Sequence, residues 1–254
     1  MVKTAIDAPG ELQRAAELLF KNWKLAVPTA VSSLLIGALG IFVFASVVTT
    51  ATLGGMVAGH AGAGLAGILT LLPMLALYFV IAVLLTIIAQ AVVIHAAEDA
   101  WEGREVDFGR SLGVAMSRLL PLIGAFIIIA LLMVIPVLLA VFIIGFLLML
   151  IVGFFVMYVL PAVVLGGASS AGSISESYRM ARENLGPSLI AFAGIIVALI
   201  IGGIIQTLLH HGAILTLIAS LVVGGFVSAY VALVESRFYT LLRTQTSLPL
   251  DSGA

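Results

Sequence analysis

Histidine is the residue type in this chain with the widest chemical range, and three of its four copies lie in short connections between apolar stretches. His60 lies in the connection 51–67, and His210 and His211 lie in the connection 206–212. Neutral imidazole groups bind Zn and Cu well, so these side chains could hold a metal if they met on one outer face. Neither connection contains a carboxylate or a cysteine to complete the ligand set. Solvated turn residues are the alternative, and we predict no metal site.

The sequence contains few residues that could act as a catalytic nucleophile or as a general acid or base. The chain contains no cysteine, which excludes disulfides and thiolate chemistry. Ser169, Ser170 and Ser173 form a hydroxyl-rich connection, but no obvious base lies near them in the sequence to activate a nucleophile. His95, near Glu98, is expected to be an interfacial residue and not a catalytic base. We therefore predict that the protein is not an enzyme and uses no cofactor.

The elements that carry these residues are membrane spans. Residues 119–167 contain no Asp, Glu, Lys or Arg, and two spans of about 20 residues joined by a turn account for that length. Hydrophobic residues make up 63% of the chain and charged residues 9%, whereas a soluble domain has roughly 25% charged residues. The pI near 6.4 gives no basic footprint for a nucleic-acid partner. The sequence predicts an all-α, polytopic membrane protein.

Six apolar stretches are long enough to cross a bilayer. The expected spans are 28–50, 68–94, a third that begins near Pro121, a fourth that ends near Pro161 and Gly166, 187–206 and 213–235. The turn between the third and fourth spans is expected between Pro136 and Gly145. The Gly- and Ala-rich residues 51–67 are predicted to form a flexible loop outside the bilayer.

A segment with apolar residues at helical spacing precedes each pair of spans. The three segments are 11–24, 96–118 and 174–185. Ser111 aligns with Ser177, and Arg118 aligns with both Asn184 and Asn22, which indicates a repeat. We predict one domain, 1–243, made of the units 8–94, 98–166 and 173–243, each an amphipathic interfacial helix followed by a two-span hairpin, with a polar tail at 244–254.

The basic residues predict an orientation. All 11 Lys and Arg residues fall on the side of the termini, and the opposite connections contain none. The positive-inside rule therefore predicts cytoplasmic termini and a location in the cytoplasmic (inner) cell membrane. The acidic residues lie on the same side, so this face is charge-mixed and weakly suited to a dedicated anionic-lipid clamp.

Ionisable residues at membrane depth are the usual signature of coupled transport. No predicted span has a central Asp, Glu, Lys, Arg or His. Glu235 comes nearest, at the end of the sixth span, and is expected to form an interfacial ion pair with Arg237. Gln90 and His95 lie near the end of the second span, where water and headgroups are expected to solvate them. These positions argue against ion- or proton-coupled transport.

Small residues repeat every four positions on the last two spans and predict close helix packing. They are Gly194, Ala198 and Gly202 on the fifth span and Ser220, Gly224, Ser228 and Ala232 on the sixth. Packing within the chain is the favoured interpretation, and a subunit interface is the alternative. The residues expected at the membrane interface are Trp23, Trp101, Tyr178, Arg179 and Asn184.

The run that begins at Tyr158, YVLPAVVLGGASSAGSISESYRMARENLGPSLI, carries a resemblance. Its pattern is a Pro-containing apolar end of a span, a short connection, and a Ser-Tyr-Arg helix leading to Asn-Leu and the next span. The positions are Pro161, Ser177, Tyr178, Arg179, Asn184 and Leu185. This resembles uncharacterised prokaryotic six-span proteins similar to the membrane domain attached to some glycerophosphodiester phosphodiesterases. An acidic residue is frequent in that family where this chain has Gly166 and Gly167. The resemblance implies an integral membrane domain with no catalytic residue to transfer.

The expected function is therefore non-enzymatic. We predict an accessory or scaffold subunit that packs against a membrane complex or lipids. The alternative is a carrier or flippase for an apolar or lipid substrate, which needs no buried charge. The expected partners are membrane lipids and, as open alternatives, another membrane protein complex or a second copy of the chain; no nucleic acid is expected.

Overall fold

The computed structural model describes residues 6–58, 62–209 and 213–247. These residues are helical apart from short connections, and they include no β-strand. The helices in chain order are α1 (Ala8–Lys21), a 3-10 helix (Trp23–Ala26), α2 (Val27–Ala58), α3 (Gly62–Trp101), α4 (Phe108–Ser117), α5 (Leu119–Leu138), α6 (Ile143–Val156), α7 (Val159–Val164), α8 (Ser170–Glu183), α9 (Leu185–Leu208) and α10 (Ala213–Ser247). The all-α expectation is confirmed.

Six segments of the described chain are long and apolar enough to cross a membrane. They are Trp23–Ser46, Leu72–Trp101, Leu119–Leu138, Ile143–Val164, Leu185–Leu208 and Thr216–Gln245, and we call them spans one to six. Their hydrogen-bonded backbones and apolar side chains meet the two demands of a hydrocarbon solvent. The prediction of a six-span membrane protein is confirmed.

The predicted loop at 51–67 is wrong within the described residues. α2 continues to Ala58, and α3 already begins at Gly62. Alanine has the highest helix propensity, and glycine costs only about 1 kcal/mol per residue in a helix. Helices that leave an apolar span can absorb that cost, so the glycine content of this region is compatible with helix.

Three short helices begin at side-chain caps. Asp7, Asp107 and Ser169 precede α1, α4 and α8, and their side-chain oxygens accept backbone N–H groups of the first turn. α1 and α8 also end alike: the amide of Asn22 donates to the carbonyl of Leu18, and that of Asn184 to the carbonyl of Met180, each at 3.1 Å. These are the two asparagines that the predicted repeat aligns through Arg118. The division into three units stays a prediction.

Span four is broken between α6 and α7, and a serine of α8 bridges the break. The fully buried Ser177 hydroxyl donates to the carbonyl of Phe155 at 2.7 Å and accepts the N–H of Tyr158 at 3.1 Å. The hydroxyl of Tyr158 in turn donates to Ser188 of α9 at 3.2 Å. Backbone groups without a helical partner find no water in hydrocarbon. The Ser177 hydroxyl therefore satisfies the backbone groups that the break in span four leaves without a helical partner.

α7 ends in a glycine turn that accounts for the departure from the resembled pattern. Gly167 has φ of 71°, and its N–H donates to the carbonyl of Val163 at 3.2 Å while the next amide, of Ala168, also donates back into α7. This helix ending favours glycine. A Cβ at Gly166 would overlap the hydroxyl of Tyr239. An acidic residue has no room at the first position and would strain the backbone at the second.

α10 packs against helices from both the N-terminal and the C-terminal parts of the chain. It contacts α1, α2, α3, α7 and α9. Its C-terminal half carries fully buried side chains, including Leu233, Phe238 and Leu242, and it faces the equally buried Ile94 region near the end of α3. The core of the protein therefore lies at one end of the bundle.

Candidate functional site

The three histidines considered as possible metal ligands lie outside the described residues. These are His60, between spans one and two, and His210 and His211, between spans five and six. Among the described residues, no group of three or more His, Asp and Glu side chains could hold a metal ion. His95 is partly buried, and its Nδ1 lies 3.0 Å from the hydroxyl of Ser111. This contact joins α3 to α4. His95 was expected to be solvated at the membrane interface, but it contacts a protein side chain.

The expected ion pair between Glu235 and Arg237 is wrong. Arg237 Nε donates to Glu11 Oε2 at 2.7 Å, and its guanidinium lies 4.9 Å from the ring centroid of Trp101. Residues two positions apart point to different sides of a helix. Arg237 therefore faces α1 and the end of α3, while Glu235 faces another direction.

Glu235 faces a cavity between α3, α9 and α10 that we call the polar groove. The cavity has a volume of about 530 Å³. Its lining residues are Gln90 of α3, Ile195, Leu199, Gly202, Gly203 and Gln206 of α9, and Gly224, Val227, Ser228, Val231 and Glu235 of α10. The amide of Gln90 donates to the hydroxyl of Ser228 at 2.9 Å, so a protein group, and not interfacial water alone, satisfies this glutamine. Glu235 makes no hydrogen bond or ion pair with any described residue.

A second cavity lies on the other side of the α9–α10 pair, and we call it the apolar groove. It has a volume of about 470 Å³ and is open on one side. Its lining residues are Ala16, Leu19 and Phe20 of α1, Gly194, Val197, Ala198, Ile201, Gly202 and Ile205 of α9, and Val222, Val223, Phe226, Val227 and Tyr230 of α10. Tyr230 supplies the polar side-chain group, and its hydroxyl donates to the carbonyl of Leu12 at 3.4 Å. The lining contains no charged residue.

Five of the seven small residues predicted to pack helices line one or both of these grooves, and Ser220 and Ala232 line neither. A Cβ on Gly202 would lie 2.6 Å from a methyl group of Val227, so this glycine makes the close approach of α9 to α10. Gly194 packs against Leu12 of α1 instead, where a Cβ would lie 2.7 Å from a leucine methyl carbon. Ala198 lines the apolar groove, and Gly224 lines the polar groove. Ser228 binds Gln90, Ala232 is buried and Ser220 is exposed. The stripe thus contacts several elements of the same chain.

The residues predicted for the membrane interface differ in their contacts. Trp23, Tyr178 and Arg179 are exposed, whereas the indole N–H of Trp101 donates to the carbonyl of Leu233 at 3.0 Å. Asn184 is buried and caps α8. Trp101 and Asn184 therefore take part in packing and capping as well as lying near the ends of spans.

Polar contacts join α10 to three other helices near its C-terminal end. Besides the Arg237–Glu11 pair with α1, Thr240 donates to Glu98 of α3 at 3.2 Å, and Tyr239 donates to Glu176 of α8 at 2.8 Å. These side chains satisfy one another. They join α10 to α1, α3 and α8 and stabilise the bundle.

A buried carboxylate closes the connection between α3 and α4. Asp99 is fully buried and accepts from Arg104 at 2.7 Å and from Arg110 at 2.6 Å. A buried carboxylate needs such partners because its desolvation is otherwise costly. The arginines are engaged in this structural role, and the contrast with the unpaired Glu235 makes the polar groove the more informative site.

Sequence reasoning missed both grooves. Gln90, Gln206 and Glu235 are polar residues within apolar stretches, and that was the available signal for the polar groove. Their convergence depends on the packing of three helices that are distant in the chain, which periodicity does not predict. The apolar groove has no sequence signal that separates its lining from ordinary lipid-facing residues.

Comparison with protein-family models, with curated proteins and with solved structures gives no match for this chain. The resemblance to the membrane domain of glycerophosphodiester phosphodiesterases therefore stays a prediction. Functional inference rests on the two grooves and their chemistry.

Proposed function

We propose that the protein is a non-enzymatic membrane module that binds the acyl chain of a membrane lipid in the apolar groove. The observation that carries this proposal is a cavity of about 470 Å³, lined by apolar side chains and bounded by α1 and spans five and six. Its volume lies in the range of about 300–1,000 Å³ that is usual for ligand sites. A lipid held there would serve as a structural link between this module and its surroundings.

Lipid is the occupant that best fits the position of the groove. Two of its walls are membrane spans, so hydrocarbon chains are the molecules that surround its opening. The third wall is α1, which buries Ala15 and Leu19 against the bundle and exposes Phe20. Gly194 and Gly202 let Leu12 of α1 and Val227 of α10 approach α9 closely, which sets the spacing of these walls. The shape and chemistry therefore suit a linear apolar chain.

The proposal predicts that a bulky residue in the groove displaces bound lipid. Ala198→Trp places an indole in the groove, whereas Ala193→Trp places the same side chain on an exposed position of the same helix. Native mass spectrometry of the chain released from nanodiscs counts the retained phospholipids. We expect Ala198→Trp to lose a lipid that wild type and Ala193→Trp retain. Equal lipid counts in all three proteins would rule the proposal out.

The accessory role and the cellular location are part of the same proposal. We place the module in the inner cell membrane with both termini in the cytoplasm, which the distribution of Lys and Arg supports. Gentle extraction from the source membrane, followed by native mass spectrometry, tests for a stable partner complex. A chain that carries lipid but never a partner protein would remove the accessory role and leave lipid binding.

A carrier or flippase for a lipid is the second candidate. The observation in its favour is that the polar groove lies across the α9–α10 contact from the apolar groove, with Gly202 and Val227 lining both. A lipid carrier needs an apolar surface for the acyl chain and a polar surface for the headgroup. Reconstitution into vesicles with fluorescent phospholipid, followed by quenching of the outer leaflet, measures transfer. Transfer that exceeds that of empty vesicles and is lost in Ala198→Trp would favour the carrier.

A further inference from the structure

Polar side chains from three helices converge on the polar groove. Gln90 comes from α3, Gln206 from α9, and Ser228 and Glu235 from α10. Gln90 uses an amide hydrogen to bind Ser228, which leaves its carbonyl oxygen available to a ligand. Polar side chains on spans are costly in hydrocarbon unless they line a cavity or meet a partner. Their convergence therefore indicates a binding cavity.

Glu235 is the ionisable group of this cavity. It is partly buried at the end of the groove and makes no hydrogen bond or ion pair with a described residue. The nearest basic residue in sequence, Arg237, is held by Glu11 and Trp101. A carboxylate without a protein partner in such a place attracts a cation strongly, because the low dielectric weakens the screening of its charge.

The size and shape of the groove favour an organic cation over a bare metal ion. The volume of about 530 Å³ is within the range of sites for small organic ligands. Gly224 and Glu235 both line it, and they are about 16 Å apart along α10 at a rise of about 1.5 Å per residue. Ile195, Leu199 and Val231 provide apolar wall along this length. An elongated ligand with one charged end matches this arrangement.

We propose that the polar groove binds an amphiphilic ammonium ion, with its cationic group at Glu235 and its alkyl chain along α9 and α10 toward Gln206. The site shares Gly202 and Val227 with the apolar groove but lies on the opposite side of the α9–α10 contact, and the proposal does not depend on lipid binding in the apolar groove. The cation replaces the missing protein partner of Glu235, and the apolar body occupies the glycine-lined part of the cavity.

The test uses the full chain in nanodiscs and tritiated decyltrimethylammonium as the probe. Wild type is expected to show saturable binding above that of empty nanodiscs, and decyl sulfate is expected not to compete. Glu235→Gln keeps the shape of the side chain and removes its charge, and we expect it to weaken binding by about tenfold or more. Glu183→Gln is the matched control, because Glu183 is exposed on α8 and is not part of the groove lining. Its affinity should equal that of wild type.

A second variant tests the groove independently of the charge. A Cβ on Gly203 would meet no atom within 4 Å, so Gly203→Phe can fill the cavity without a clash of its own Cβ. We expect it to abolish saturable binding while helicity and elution volume stay those of wild type. The proposal is overturned by any of three results: no saturable binding in wild type, equal affinity in Glu235→Gln, or equal competition by decyl sulfate.

Discussion

At the scale of single residues, hydroxyl groups and glycines determine how helices approach one another in this bundle. Ser177 bridges the break in span four by binding both Phe155 and Tyr158. Gly166 leaves space for the hydroxyl of Tyr239. A hydropathy profile gives no sign that either residue is important. Ser177 acts through one hydroxyl group and Gly166 through the lack of a side chain, and both effects depend on the packed structure.

Ser177→Ala should destabilise the protein. The change leaves the carbonyl of Phe155 and the N–H of Tyr158 without their α8 partner, and an unsatisfied buried group costs about 1–3 kcal/mol. Ser175→Ala is the control, because Ser175 is exposed on the same helix. Thermal unfolding in detergent, followed by circular dichroism, should show a lower Tm for Ser177→Ala alone. Equal Tm values for both variants would contradict the bridging role.

Gly166→Ala should also lower stability. The added methyl group would overlap the hydroxyl of Tyr239, and overpacking of this kind costs about 1–3 kcal/mol. Gly113→Ala is the matched change, because a Cβ there meets no atom within 4 Å and alanine favours helix. We expect the same unfolding assay to show a loss for Gly166→Ala and no loss for Gly113→Ala. A loss of equal size in both would show that glycine flexibility, and not space, is important.

At the scale of elements, the six spans and their approximate ends are predictable because each depends on local composition. The turn near 136–145, for example, lies at 139–142 between α5 and α6. The partner of Arg237 is not predictable in this way, because Glu11 is distant in the chain and only the docking of α1 brings it close. The grooves are harder still, since each needs three helices in place. The residue types within a span are therefore enough to predict that it crosses the membrane. The positions of the two grooves depend on tertiary packing, which the sequence pattern does not predict.

The docking of α1 should depend on the Arg237–Glu11 pair. Glu11 is 8% exposed, and a largely buried charge pair is coupled more strongly than a surface pair. A double-mutant cycle with Glu11→Gln and Arg237→Gln should give a coupling free energy of about 1–3 kcal/mol. A cycle on the exposed Gln13–Glu17 pair of the same helix should give about 0.5 kcal/mol or less. Similar couplings in the two cycles would show that α1 docks by apolar contacts alone.

At the scale of the whole molecule, the absence of cysteine from the sequence allows the orientation to be measured directly. Val141 is 89% exposed in the turn after α5, and Ser175 is exposed on α8. We expect Val141→Cys to react with a membrane-impermeant maleimide in intact cells, because this turn belongs to the connections without basic residues. Ser175→Cys should react only after the membrane is permeabilised. The reverse labelling pattern would place the termini outside the cell.

The concentration of core residues at one end of the bundle makes resistance to local opening uneven along the membrane normal. The fully buried side chains and the contacts of Arg237, Tyr239 and Thr240 gather near the C-terminal ends of α3 and α10, whereas α9 between Val197 and Leu208 is largely exposed. Regions with few buried contacts open at a lower free energy than the rest of a protein. Backbone amides at the far ends of spans five and six should exchange their hydrogens through local fraying. Backbone amides beside Phe238 should exchange only when the whole bundle unfolds. A ligand would then enter either groove from the end with few buried contacts, while the tightly packed end keeps the helices in register.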